Sequence, residues 1–232
     1  LGGVVRRVIP EFRISTSALD KDIALIQAMG VEVKLNTEIR EVKELEDAGY
    51  DYIVLAIGAG KPGTLELEAG ETVNALEFLA PFKRHDGKMQ VGKTIAVIGG
   101  GNTAMDTARA AKRILGVEKV ALIYRRTRRY MPADEEELIM AMEDGVEFKE
   151  LLAPKKLEDG RLLCSVMELG DFDESGRRVV KATGEEVEVA ADTVIVAVGE
   201  PVSQDYYAVN TIRLTDKGRV KTNPIPRPAR IT

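Results

Sequence analysis

Cysteine is almost missing from this chain of 232 residues, where Cys164 stands alone. One thiol forms no internal disulfide, supplies no cluster ligand set, and leaves no cysteine pair for a dithiol reductase. Its setting, Leu162-Leu-Cys-Ser-Val166, is that of a buried structural thiol. Histidine is equally scarce. His85 lies in the polar run Lys83-Arg-His-Asp-Gly87, where a solvated linker role outweighs catalysis. Metal binding needs His, Cys or carboxylates gathered at ligand spacing, and the sequence has no such cluster. No apolar run approaches the roughly 20 residues that cross a bilayer, and there is no signal-peptide pattern. Net charge is −5 and the isoelectric point near 5.2, which disfavours nucleic acid and anionic membranes as partners. Repeats, low-complexity runs and coiled-coil heptads are also lacking. The expectation is a cytoplasmic protein whose length fits one large or two modest domains.

What is present centres on Thr94-Ile-Ala-Val-Ile-Gly-Gly-Gly-Asn-Thr-Ala-Met-Asp106. Ile95 to Ile98 are continuously apolar and bounded by glycine, as a fully buried parallel strand requires. Gly99, Gly101 and Ala104 take the three small-residue positions of a dinucleotide turn: a tight turn, close approach to pyrophosphate, and close packing of helix on strand. Gly100 lies between them, and Asn102 and Thr103 add polar groups where helix amides meet an anion. Ala104, Ala108, Ala111 and Leu115 recur at helical spacing, with Gly116 as a stop. Val120-Ala-Leu-Ile-Tyr124 supplies a second strand and completes a βαβ unit.

That second strand runs into Arg125-Arg126-Thr127-Arg128-Arg129, and no acidic residue occurs from Lys119 to Tyr130. An NAD-selective site places a carboxylate here for the ribose hydroxyls, whereas a guanidinium fork suits a 2′-phosphate. The carrier expected is therefore NADPH, held by Arg125 and Arg126, with Arg129 a weaker candidate. The alternative is a solvated loop paired with Asp134, Glu135, Glu136 and Glu137, which applies to Arg128 and Arg129 as readily.

Around this unit the pattern predicts a helix from Asp20 to Met29, strands at Val31–Leu35 and Tyr52–Ile57, and a short helix from Glu77 to Lys83. The two early strands read as part of another α/β layer, and the nucleotide domain should begin near Val91. Downstream, Asp134 to Asp144 reads as a helix with an acidic start, followed by a strand at Val146–Phe148. Turn signals at Asp159-Gly160 and Ser175-Gly176 separate alternating segments, an antiparallel meander set into a parallel sheet. Thr193–Val198 returns as a buried strand ending at Gly199. The start at Leu1-Gly2-Gly3 and the end in Pro224–Thr232 read as cuts from a longer protein.

Six ordered pieces carry a resemblance: Gly2-Gly3 with Ile9-Pro10-Glu-Phe-Arg13, Ala56-Ile-Gly-Ala59, Gly99 through Asp106, Tyr124-Arg-Arg126, Met131-Pro132, and Ala197-Val-Gly199. In these the chain resembles the two-dinucleotide-domain flavoproteins typified by the small subunit of NADPH-dependent glutamate synthase and the flavin-containing part of dihydropyrimidine dehydrogenase. Gly2-Gly3-Val-Val and Ile9-Pro-Glu-Phe-Arg13 look closest to the iron–sulfur subunits of the selenate reductase type, which are large multidomain bacterial proteins.

The resemblance implies a Rossmann-like NADPH-binding domain, residues 91–199, inserted in part of an FAD-binding domain. Residues 1–90 would form the partial FAD domain and connector, and residues 200–232 the return segment. It implies hydride transfer from NADPH to FAD, with electrons leaving through iron–sulfur clusters in other domains or subunits. Gly2, Gly3, Ile9 and Pro10 would face the flavin, Ala56 and Gly58 would line the same crevice, and Gly199 would let the nicotinamide end approach the backbone. The family's flavin fingerprint and cluster cysteines are not in this chain, so these residues alone are expected to bind FAD weakly or not at all. No catalytic acid or base is needed. The alternative is a regulatory module that senses NADPH without turnover; an assay of NADPH-driven dye reduction with the flanking segments restored separates the two.

Overall fold

The computed structural model describes residues 1–59, 63–173, 176, 178–199, 204–215 and 220–221. The chain divides into two compact units, one of residues 1–32 with 62–199, the other of residues 33–61 with 200–232. The boundary expected near residue 90 thus falls inside the first unit, which also includes the N-terminal segment.

The first unit is built on a five-stranded parallel sheet. Its strands are β1 (Val73–Asn74), β2 (Thr94–Ile98), β3 (Lys119–Tyr124), β4 (Glu147–Glu150) and β8 (Thr193–Val196), in the order β1-β8-β2-β3-β4. The β2 pairings place Ala96 opposite both Ala121 and Val194. Side chains alternate across such a sheet, and both faces of β2 are apolar because both are covered. Ile95 and Val97 point to a helical layer, where they pack with Phe78, Leu79, Ala104, Ala108, Leu138 and Ile195. Ala96 and Ile98 point the other way, toward Ile123, Val194, Leu162 and Val189.

The helical layer consists of α4 (Ala75–Arg84), α5 (Asn102–Lys112) and α6 (Glu135–Glu143). The alanines at 104, 108 and 111 are buried as their spacing predicts, and so let α5 lie close to the strands. Leu115 does not continue the face: α5 ends at Lys112 and Leu115 is fully exposed. Over the opposite face lies the antiparallel meander of β5 (Leu152–Glu158), β6 (Arg161–Phe172) and β7 (Arg178–Ala190). Cys164 projects from β6 into that second core, fully buried.

The N-terminal segment contributes α1 (Gly3–Arg7) and α2 (Thr16–Ala28). Ser15 caps α2 by accepting from the Ala18 amide at 3.2 Å. Lys83 of α4 holds the segment in place, since its Nζ donates to the carbonyls of Val5 and Ile9 at 2.9 and 2.7 Å.

In the second unit, α3 (Val42–Asp47) starts with a capping box between Glu41 and Glu44, and α7 is Asp205–Val209. Asn210 joins its two chain segments by accepting from the Val42 amide at 2.6 Å and donating to the Arg40 carbonyl at 3.1 Å. The strands expected at Val31–Leu35 and Tyr52–Ile57 do not form. Tyr52 and Val54 are 93% and 88% exposed, and no ladder partner for either segment occurs among the described residues. A strand needs a neighbour for its backbone groups, and alternation in the sequence does not supply one.

Candidate functional site

The glycine turn joins β2 to α5 at the carboxyl edge of the parallel sheet, where open α/β sheets bind ligands. Each of its three glycines is small for a different reason. A Cβ on Gly99 would run into the Ala197 carbonyl and sit 3.0 Å from the Ala104 methyl, so this position holds helix against sheet. A Cβ on Gly100 would overlap the ring of Tyr124. Gly101 differs from both. Its backbone is ordinary, with φ −99° and ψ 173°, and the nearest atom to an added Cβ is Pro132 Cγ at 4.0 Å.

Nothing among the described residues therefore requires Gly101 to lack a side chain, and the space beside it is what a dinucleotide phosphate needs. The amides point there too. The first bonds of α5 run from Ala104 and Met105 to the Gly101 carbonyl, at 2.9 and 3.3 Å, while the amides of Asn102 and Thr103 have no acceptor among the described residues. No side chain caps the helix and its first turn holds no acidic residue, so α5 supplies no countercharge of its own to the positive end of its dipole. The donor set fits a pyrophosphate.

Asn102 does something other than expected. Its side chain accepts from the Asp134 amide at 3.2 Å and donates to the Asp134 carboxylate at 3.3 Å, and the Ala133 amide donates to the Gly100 carbonyl at 3.0 Å. Asn102 thus fastens the segment after the arginine loop beside the glycine turn. Tyr124 anchors the same loop from below, its hydroxyl donating to the Tyr130 carbonyl at 2.8 Å.

The arginines separate into distinct environments. Arg128 is spoken for by acidic neighbours, its amide donating to Glu150 at 2.7 Å and its guanidinium to Glu135 at 2.8 Å. Arg125 and Arg129 are exposed and have no hydrogen-bond or ion-pair partner among the described residues. Arg126 is half-buried, its Nε donating to the Arg178 carbonyl at 2.8 Å. Arg128 and Arg129 line a cavity of about 650 Å³ together with Thr127, Met131, Leu138 and Glu150. Met131, Ala133 and Leu138 give it an apolar part, its charged lining mixes the two arginines with Asp134, Glu135 and Glu150, and it lies past the end of β3.

Behind the turn lies a charged network that the sequence reading did not find. Arg13, brought in by the N-terminal segment, pairs with Asp106 of α5 at 3.3 Å and with Glu137 of α6. Arg109 reaches Glu137 at 3.7 Å and Asp144 at 2.7 Å, Arg113 joins Asp144 at 2.6 Å, and both arginines lie over the Phe12 ring. Burial pushes the Asp106 carboxyl up to about 6, against the attraction of Arg13 and with repulsion from Glu137 adding to it. The only sequence signal was the paired spacing of Asp106, Arg109 and Arg113 on one helix face.

The remaining candidates are dispersed. Gly199 has φ +101° and open space where a Cβ would stand, while Gly63 packs against its carbonyl, at the end of the segment leaving β8. Gly2 and Gly3 begin α1 with positive φ, Ile9 is half-buried with its carbonyl taken by Lys83, and Pro10 is buried. Ala56 and Gly58 belong to the second unit and are exposed. Cys164 is walled in, its thiol pushed by burial to about 11. No metal-binding cluster exists among the described residues, and no helix there is long and apolar enough to cross a membrane.

A parallel sheet with a glycine turn into an uncapped helix, backed by an antiparallel meander, is the architecture of nucleotide-dependent oxidoreductases. Comparison with known proteins agrees: the chain belongs to the pyridine nucleotide-disulphide oxidoreductase family, whose model matches residues 19–227. It is 41% identical to the candidate oxidoreductase YgfK of Escherichia coli (strain K12), over 91% of this chain and 20% of that protein. It is 35% identical to the beta subunit of the NADPH-Fe(3+) oxidoreductase of Geobacter sulfurreducens (strain DL-1 / KN400), over 97% of this chain and 36% of that protein. The small chain of the Escherichia coli (strain K12) NADPH glutamate synthase is 34% identical, over 95% of this chain and 51% of that protein. The chain thus spans between a fifth and a half of these relatives. In fold it is similar to Mycobacterium tuberculosis FprA in complex with NADPH, at 19% identity and a TM-score of 0.63, over 85% of this chain and 61% of that one.

Proposed function

We propose that this chain is the NADPH-binding module of a flavin-dependent pyridine-nucleotide oxidoreductase, which passes hydride from NADPH to FAD and electrons on to iron–sulfur clusters outside these residues. Gly101 carries the reading: it is the one glycine of the turn that neither its backbone nor its described neighbours demand, and two helix amides without an acceptor among the described residues sit beside it. Gly99, Gly100 and Ala104 shape the cradle. Gly101, Asn102 and Thr103 present backbone donors to the pyrophosphate. Arg125 and the terminal nitrogens of Arg126 take the 2′-phosphate, with Arg129 available from the cavity rim.

Gly199 leaves the backbone open for the nicotinamide end. The family resemblance implies that in the whole protein Gly2, Gly3, Ile9 and Pro10 would face the flavin and that Ala56 with Gly58 would line its crevice. NADPH supplies the hydride, so the chain contributes position, charge and exclusion of water rather than an acid or base. The names of two relatives, an NADPH-Fe(3+) oxidoreductase and an NADPH glutamate synthase, support the choice of carrier and the membership of a larger electron-transfer assembly.

Titration calorimetry tests the proposal. NADPH is expected to release heat at micromolar to millimolar concentration, and the Arg125→Ala, Arg126→Ala double variant to lose about a hundredfold in NADPH affinity while NADH changes little. No heat with NADPH at millimolar concentration overturns the assignment, and equal losses for both carriers overturn the phosphate clamp.

A further inference from the structure

The meander covers one face of the sheet, yet it also grips the arginine loop at two points. The Leu151 amide, at the meander's entry, donates to the Arg126 carbonyl at 3.3 Å. The Arg178 carbonyl, at the first residue of β7, accepts from Arg126 Nε at 2.8 Å. With Nε engaged, the guanidinium plane is fixed, and its two terminal nitrogens have no partner among the described residues. A fork held by its root in this way is pre-aimed for bidentate recognition of a phosphate.

The position of the Arg178 carbonyl is not set by a regular ladder. The β6–β7 register shifts between Leu169 and Phe172, and Phe172 opposite Arg178 is the last pair. Irregularities of this kind leave carbonyls without ladder donors. The Arg178 side chain serves them: its Nη2 donates to the Leu169 carbonyl at 3.1 Å, its Nε donates to the Gly170 carbonyl, and its cation lies 5.1 Å over the Phe172 ring. One residue therefore both closes the bulge with its side chain and orients Arg126 with its backbone.

We propose that Arg178 is a positioning residue for recognition of the carrier's 2′-phosphate, acting through Arg126. The inference rests on the reading that Arg126 takes that phosphate. Without the Arg178 side chain the bulge loosens, the carbonyl that anchors Arg126 moves, and the fork loses its aim, while the pyrophosphate cradle on the far side of β3 keeps its shape.

The test is calorimetric affinity for NADPH and for NADH on the full chain, for the unmodified protein, Arg126→Ala, Arg178→Ala and the double variant. Arg178→Ala is expected to weaken NADPH about tenfold and NADH less than twofold, because aim matters only to the phosphorylated carrier. The double variant should bind NADPH no worse than Arg126→Ala alone, the signature of one residue acting through another. Arg178→Lys, which keeps a cation able to reach one of the two carbonyls, should recover part of the selectivity, and it serves in its place if Arg178→Ala does not fold. If Arg126→Ala weakens NADPH selectively but the Arg178 variants leave the ratio unchanged, or if the two losses simply add, the positioning role is overturned and the clamp stands. If Arg126→Ala leaves the ratio unchanged, Arg126 has no part in the clamp and the role of Arg178 fails with it.

Discussion

Two helices begin side by side at the edge of the parallel sheet, and their first turns are opposites. Helix α6 opens with Asp134 followed by Glu135, Glu136 and Glu137, so its exposed amides and dipole face carboxylates of its own chain. Helix α5 opens on Gly101 with no acidic residue and no side-chain cap. The two starts are tied together by Asn102 and Asp134, so they share one environment. What differs is the source of the countercharge. In α6 the sequence supplies it; in α5 the sequence withholds it, consistent with an anion that arrives from solution.

The largest expected effect breaks the base on which both helices stand. Arg13 lies between Asp106 of α5 and Glu137 of α6, and removing it leaves two carboxylates facing each other with little solvent between them. Arg13→Ala should cost about 3 kcal/mol, seen as a lower denaturant midpoint. A loss below about 0.5 kcal/mol would mean that solvent reaches the pair and that the network does not join the helices.

Next in size is a change that gives α5 the acidic start of α6. Gly101→Asp places a carboxylate where the pyrophosphate is proposed to lie, in a backbone conformation that suits a capping aspartate and with open space for its Cβ. Binding of NADPH and NADH should fall together by about a hundredfold, near 2.7 kcal/mol, while the melting temperature holds or rises. Unchanged binding with unchanged stability would remove Gly101 from the site.

Asp106 offers a smaller effect with a definite sign. Its carboxyl is raised from 3.8 to about 6, so between these values the folded chain holds a proton that the unfolded chain has released. The stability this group contributes is full below about pH 4 and is lost as pH rises through about 6. Asp106→Asn mimics the protonated form. The variant should match the parent near pH 4, exceed it at pH 7, and flatten the stability profile between; an unaltered profile would assign the slope to other groups.

How much of this was legible follows from the range of each interaction. The turn from Thr94 to Asp106 could be read because every requirement in it is local: an apolar run, three small residues and a helix with alanines on one face. The meander could be read from turn signals spaced along the chain. Arg13 with Asp106, Asn102 with Asp134, and Arg126 with Arg178 could not, since each joins residues far apart whose pairing depends on how layers stack. Tyr52–Ile57 failed for the converse reason. Its apolar alternation describes a surface suited to a sheet, but whether a neighbouring strand is there to meet it is not written in the segment itself.

The smallest prediction sharpens the contrast between the two helix starts from the α6 side. Glu136 is exposed, lies in the first turn, and takes no part in the buried network, so its charge acts on α6 through the dipole alone. Glu136→Gln should cost about 0.5 kcal/mol at low ionic strength and almost nothing in 1 M salt, where screening confines charge effects to about 3 Å. The same change should leave NADPH affinity untouched, because the countercharge of one helix does not serve the other. A loss of NADPH binding on neutralising Glu136 would mean that the paired starts act as a single electrostatic site, and the division between a self-compensated helix and one left for a ligand would fall.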